Sequence, residues 1–190
     1  MKLPRHTTYK VLMAQVTLRR ATTADAHWLD LWDTDADVIT CSTDDPNATV
    51  AFAETEWAEE LAAQDEHSQY FIGELDGQPI GAMQICDPHL ETSHYWGEIA
   101  PNLRAIDIWL GAPQHRGKGF GAEMMRLALD KCFADARVTG IVIDPLASNE
   151  RALRFYQRMG FKAVGRRNFG PDDCLVHELT RDDWLAQRRT

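Results

Sequence analysis

The chain has 190 residues, 44% of them apolar, and a formal net charge of −9. This length and composition fit one folded domain with its own core and exclude disordered, collagen-like and disulfide-stapled chains. The net negative charge speaks against an ordinary nucleic-acid binder, and no apolar run approaches the ~18–20 residues of a membrane-spanning helix.

The charge is unevenly spread. Residues 21–103 hold 18 acids and no Lys or Arg, residues 1–20 carry +5, and residues 104–190 carry +4. One part of the chain suits a cationic ligand and another an anionic one. Residues 1–14 include Lys2, Arg5 and Lys10 but no long apolar stretch, so they read as an N-terminal extension rather than a signal peptide. Met13 is an alternative start, and the domain is expected over 15–190. Cys41, Cys86, Cys132 and Cys174 lie far apart, with no CxxC pair and no clustered His. Reduced thiols in a cytoplasmic protein are expected, and no metal site.

In chain order, Val16–Arg19 alternates as a strand. Thr22, Thr23 and Asp25 start a helix that carries Trp28, Leu29, Leu31 and Trp32. Residues 33–47, rich in Asp, Thr and Ser, predict an irregular loop. Residues 49–63 predict a second helix on Val50, Phe52, Ala53, Trp57 and Leu61. Tyr70–Leu75 and Ile80–Ile85 flank Asp76-Gly77, a hairpin signal. A long connection over 87–102 leads to a strand at Arg104–Leu110. A helix over 117–134, a buried strand over 138–143 and a helix over 149–159 follow, the last closed by Gly160. Phe161–Val164 and Cys174–Leu179 predict a strand pair, and 181–188 a terminal helix. The order βααβββαβαββ is that of one mixed α/β (α+β) domain.

Gln114-His-Arg-Gly-Lys-Gly-Phe-Gly121 joins a strand to a helix. Three glycines at alternate positions let an anion approach the backbone, and the first N–H groups of the helix point at it. Arg116 and Lys118 add positive charge. The turn is neither a P-loop nor a GxGxxG turn. Downstream, Asn149 is followed by Ala152, Tyr156 and Gly160-Phe161.

Together, Gln114-x-x-Gly-x-Gly and Asn149…Tyr156…Gly160-Phe161 resemble the GNAT acetyltransferase superfamily, over Val16 to Thr180. The resemblance implies a mixed, mostly antiparallel sheet with helices on both faces and a splayed central strand pair. It implies that Gln114, Arg116, Gly117, Lys118, Gly119 and Gly121 hold the pyrophosphate of acetyl-CoA. Main-chain groups around Ile108 and Leu110 would pair with the pantetheine arm, and Asn149 would touch that arm or brace the site. Tyr156 would stand near the thioester sulfur. The departing thiol has a pKa of about 8.5 and a tyrosine ~10, so a phenol can assist its departure as a general acid.

An acceptor amine must be neutral to attack, and a carboxylate can bind its ammonium and take the proton. Asp107 lies mid-strand in an apolar stretch, where a charge is costly without a partner or a role. Asp144 ends the next strand, before Pro145. A closer resemblance rests on Arg104-Ala-Ile-Asp107, Gly117–Gly121, Val138-Thr-x-Ile-x-x-Asp144-Pro145, Ser148-Asn149, Tyr95-Trp96 and Gly170-Pro171-Asp172-Asp173. These look like aminoglycoside 6'-N-acetyltransferases. That resemblance places Asp107 beside the reactive amine, Asp144 on a neighbouring amino group, and Asp172 or Asp173 in a late turn that holds the drug. Trp96 would offer an apolar wall, with Trp32 and Asp33 as weaker candidates. The implied partners are acetyl-CoA and a polycationic aminoglycoside, in a monomer or homodimer without nucleic acid or membrane. The alternatives are a siderophore-pathway N6-hydroxylysine acyltransferase, or another small-molecule or protein amine N-acetyltransferase. The former commonly carries His where this chain has Asp107.

Overall fold

A computed structural model describes residues 15–53 and 55–189; the proposed extension over 1–14 lies outside them. Seven strands form one mixed sheet in the order β1-β2-β3-β4-β5-β7-β6. They are β1 (Val16–Arg20), β2 (Ser68–Leu75), β3 (Gln78–Cys86), β4 (Leu103–Leu110), β5 (Gly140–Ile143), β6 (Lys162–Phe169) and β7 (Asp172–Thr180). The helices are α1 (Ala26–Asp33), α2 (Ala36–Ser42), α3 (Trp57–Ala63), α4 (Phe120–Phe133), α5 (Glu150–Arg158) and α6 (Arg181–Gln187). Pairs β1–β2, β2–β3, β3–β4, β5–β7 and β6–β7 are antiparallel, and β4–β5 is parallel. The Asp76-Gly77 hairpin forms as expected, both residues at positive φ (50° and 80°), as a two-residue hairpin turn demands.

Strand alternation sends apolar side chains to both faces. Phe71, Met83, Ile106 and Ile141 pack under α4 and α5 with Met124, Met125 and Leu129. On the other face Tyr70, Ile72, Ala82 and Trp109 pack with Leu29 and Trp32 of α1 and Trp57 of α3. Trp96, Leu103, Ala105, Val142, Phe169 and Cys174 form a third cluster under the long connection.

Two expectations fail between β1 and β2. The expected loop over 33–47 contains α2, whose N-cap Asp35 accepts from the N–H groups of Asp37 and Val38. That carboxylate satisfies two of the helix's orphan donors. The expected helix over 49–63 begins only at Trp57. Upstream, Phe52 is used in an irregular segment, packed against Trp57 and Trp109 at 5.5 and 4.8 Å.

The central feature is the short contact between β4 and β5. It joins only Leu103, Arg104 and Ala105 to Gly140, Ile141 and Val142. β5 ends at Ile143, and Pro145 lacks an N–H with which to extend the ladder. From Ile106 to Leu110, β4 therefore has no partner strand on that side among the described residues, and the sheet opens into a wedge.

Candidate active site

Two cavities open on this bare part of β4. The larger, ≈ 1130 Å³, lies between the irregular 43–53 segment, the long connection and the β6–β7 turn. The smaller, ≈ 840 Å³, lies between β4, the glycine turn and α5. Cys41, Ile108, Trp109, Asn149 and Tyr156 line both, so the two volumes meet at a shared wall.

Their charges are opposite. Among the described residues, Asp45, Glu60, Glu91, Asp107, Asp144 and Asp172 line the larger cavity, with no Lys or Arg. Arg116, Arg126, Arg151 and Arg158 line the smaller, against Asp37 alone among the acids of the described residues. Such walls concentrate ligands of opposite sign. Three of the six acids come from the stretch that lacks Lys and Arg. Arg126, Arg151 and Arg158 were missed from sequence; the seven-residue step from Arg151 to Arg158, two helical turns, was the available signal.

The glycine turn closes the smaller cavity. Gly117 and Gly119 adopt φ of 71° and 89°, and a Cβ at either would meet nothing within 4 Å. The glycines are needed for backbone conformation, not for space. No backbone acceptor takes the N–H groups of Gly117 to Gly121 among the described residues. These donors and the start of α4 are arranged as an anion would need them. Lys118 is exposed at its edge, and neither Lys118 nor Gln114 lines the cavity.

Arg116, expected in the phosphate site, lines the smaller cavity and is also held by protein acceptors. Its guanidinium donates to Asp35 at 2.5 Å, to Asp37 at 2.9 Å, and to the carbonyls of Leu110 and Gly111. It is spent on tying the turn to α2 and to the end of β4. Leu110 accordingly has its carbonyl engaged, while Ile108 lies on the open side of the wedge. Asn149 caps α5, accepting from the Ala152 N–H at 3.0 Å. This cap fixes Asn149 at the start of α5, on the wall shared by the two cavities.

Asp107 lies opposite Gln84 in the β3–β4 ladder, on the face shared by Ala105 and Trp109. It is accessible to solvent at the cavity floor, yet protein crowds it from most directions. Desolvation first, and the charge of Asp144 second, push its carboxyl up to about 7. Asp144 is also pushed up by burial, against a hydrogen bond from the Tyr95 hydroxyl that favours its anion. Tyr156 is 8% exposed, with Phe155 and Phe161 against its ring. Burial, then the charges of Asp107 and Asp144, hold its phenol well above the usual tyrosine range, so it stays protonated.

The late turn splits the two expected acids. Asp172 lines the larger cavity and accepts from the Thr43 hydroxyl and the Asp44 N–H at 2.8 and 2.7 Å. Asp173 is ion-paired with Arg166 and does not line that cavity. Trp96 is buried and packs edge-on to Phe169 at 5.1 Å, forming the cavity's back wall. Trp32 and Asp33 sit in the fold's interior, and Asp33 accepts from the Phe52 N–H. Among the described residues no group of three or more His, Cys, Asp or Glu could hold a metal, and no helix is long and apolar enough to cross a membrane.

Comparison with known proteins agrees with this geometry. The family model described as an acetyltransferase (GNAT) domain matches residues 21–169. An aminoglycoside N(6')-acetyltransferase type 1 of Serratia marcescens is 32% identical over 177 residues, 92% of this chain and 87% of the relative. The structure of AAC(6')-Ib in complex with ribostamycin and coenzyme A superposes with a TM-score of 0.79 at 28% identity. That match covers 91% of this chain and 97% of the other. A complex of the same enzyme with coenzyme A and kanamycin gives 0.77 at 28% identity, covering 92% and 99%.

Proposed function

Because the chain belongs to the GNAT acetyltransferase family, we propose that it transfers an acetyl group from acetyl-CoA to the 6'-amine of aminoglycosides, and so confers resistance to them. One observation carries the acceptor class: among the described residues, six carboxylates and no Lys or Arg line a cavity of ≈ 1130 Å³ beside the bare edge of β4. That cavity suits a polar molecule with several ammonium groups. The named relatives and solved complexes act on or hold such drugs.

The donor fits the smaller cavity. The unpaired N–H groups of Gly117 to Gly121 and the surrounding arginines suit its pyrophosphate, and the open edge of β4 suits its amide-bearing arm. Acetyl-CoA supplies an activated thioester. Asp107 orients the acceptor ammonium and takes its proton, since its carboxyl is poised near neutrality. β4 main-chain donors face the carbonyl oxygen, where negative charge develops. Tyr156, on the wall common to both cavities, donates its hydroxyl proton toward the departing sulfur. Asp144, Asp172 and Trp96 hold the rest of the acceptor.

The test is thiol release from acetyl-CoA with kanamycin, tobramycin, gentamicin components, spermidine, N6-hydroxylysine and a lysine peptide. Release is expected with drugs bearing a 6'-amine, with the acetyl group found on that nitrogen by NMR. No release with any such drug overturns the proposal.

A further inference from the structure

The long connection puts one side chain between the acceptor acids and the third core cluster. Tyr95 is 49% exposed, yet it is held at three points. Its N–H donates to Glu91 Oε1 at 2.9 Å. Its ring stacks on Phe169 at 4.5 Å and 9°. Its hydroxyl donates to Asp144 Oδ2 at 2.6 Å. Glu91 is in turn fixed by the Ser93 N–H and hydroxyl at 2.7 and 2.5 Å. The far end of the stack is steadied by the Arg167 guanidinium, 4.7 Å from the Phe169 ring centre. Pinning a half-exposed aromatic costs rotamer entropy, and here its hydroxyl is aimed at a carboxylate rather than at water.

We propose that Tyr95 is a positioning residue for the acceptor site: it occupies Oδ2 of Asp144, leaves Oδ1 to receive a substrate ammonium, and thereby makes Asp107 the proton-transferring member of the acid pair. This rests on the reading above, in which Asp107 is the base.

The asymmetry follows from hydrogen bonding. Two nearby carboxylates resist joint ionisation, and whichever is better stabilised as an anion ionises first. Asp144 receives the tyrosine proton, while no hydrogen-bond donor is found on Asp107 among the described residues. The groups that face Asp144 electrostatically are Tyr95, Asp107, Tyr156, Cys86, Cys174, Asp172 and Arg167. Of these, Arg167 alone is cationic, and Tyr95 alone donates a side-chain hydrogen bond to Asp144.

The experiment compares Tyr95→Phe, Asp144→Asn and the double variant with the parent enzyme, using kanamycin and acetyl-CoA. Tyr95→Phe keeps the ring and its stack and removes only the hydroxyl. A lost hydrogen bond to a charged group corresponds to roughly a ten- to thirtyfold rise in kanamycin KM at about pH 6, since Asp144 then takes up a proton more readily. At about pH 8.5 both acids are ionised, and the rise should shrink to about two- to threefold. The acetyl-CoA KM should not move. In the Asp144→Asn background the tyrosine substitution should add nothing, because its partner is gone. A pH-independent defect, or full additivity in the double variant, overturns the proposal. Asp107→Asn, assayed in parallel, tests the underlying reading separately: near-normal turnover there removes the base assignment, whereas the Tyr95–Asp144 cycle reads the positioning contact alone.

Discussion

Arg116 reaches Asp35, 81 residues earlier in the chain, at 2.5 Å, and the arginine side chain is only 14% exposed. A cation in the glycine turn is thus neutralised by the N-cap of a helix on the acidic side of the molecule. Removing one member of a fully buried pair costs up to ~3–5 kcal/mol; the cost here is smaller, because the pair is partly exposed and Arg116 keeps Asp37 and two carbonyls. Arg116→Ala and Asp35→Asn should each lower the melting temperature by several degrees and weaken acetyl-CoA binding similarly, as calorimetry would show. If Arg116→Ala weakens acetyl-CoA and Asp35→Asn does not, the arginine binds phosphate directly.

Asp107 lies on β4 in the wall of the larger cavity, where the proposed reaction needs a base. A base must be ionised to accept a proton, and its carboxyl is pushed up to about 7. On the acid side kcat/KM should therefore rise with pH and level off above about 7. General-base loss typically costs about 10²–10⁴-fold. Asp107→Asn should lower kcat by that amount, abolish this limb of the profile, and leave coenzyme A affinity unchanged in a binding titration. Near-normal turnover would remove Asp107 from the chemistry.

The parts of this site legible in sequence are those whose chemistry is local. The glycine spacing between Gly117 and Gly121 implies an anion cradle because the turn and the helix start are contiguous. Asp107 is conspicuous as a charge inside an apolar strand, and the hairpin at Asp76-Gly77 announces itself. What was not legible depends on contacts between distant segments. Nothing local shows that Arg116 is consumed by Asp35, or that Asp173 pairs with Arg166 while Asp172 faces the cavity. Between β1 and β2 the polar composition of 33–47 masked α2, although Asp35 ahead of Val38 and Ile39 is a valid cap. The apolar spacing of 49–56 imitated a helix because Phe52 is half-buried by tertiary packing on Trp57 and Trp109.

Tyr156 is expected to act as a hydroxyl donor throughout the working pH range, because its phenol lies well above the usual range. Tyr156→Phe preserves the packing against Phe155 and Phe161, so the melting temperature should hardly change. Loss of assistance to the leaving thiolate should lower kcat by about 10- to 100-fold. With an acetyl donor whose thiol is more acidic, the leaving group needs less help and the defect should shrink. An equal defect with both donors would assign Tyr156 to positioning rather than to proton donation.

The segregated walls make a prediction about salt. Among the described residues the larger cavity has six carboxylates and no Lys or Arg, and screening reduces their joint attraction for a polycation once the Debye length falls to about 10 Å, near 0.1 M salt. Kanamycin KM should rise several-fold between about 0.02 and 0.3 M salt, while kcat at saturation changes little. Glu60, which takes a hydrogen bond from the Tyr70 hydroxyl at 3.0 Å, lies in this wall but outside the reaction centre. Glu60→Gln should flatten the salt dependence of KM without altering the pH limb assigned to Asp107. A KM that does not respond to salt would mean that the acidic wall contributes to solubility alone, and that affinity comes from direct contacts at Asp107, Asp144 and Asp172.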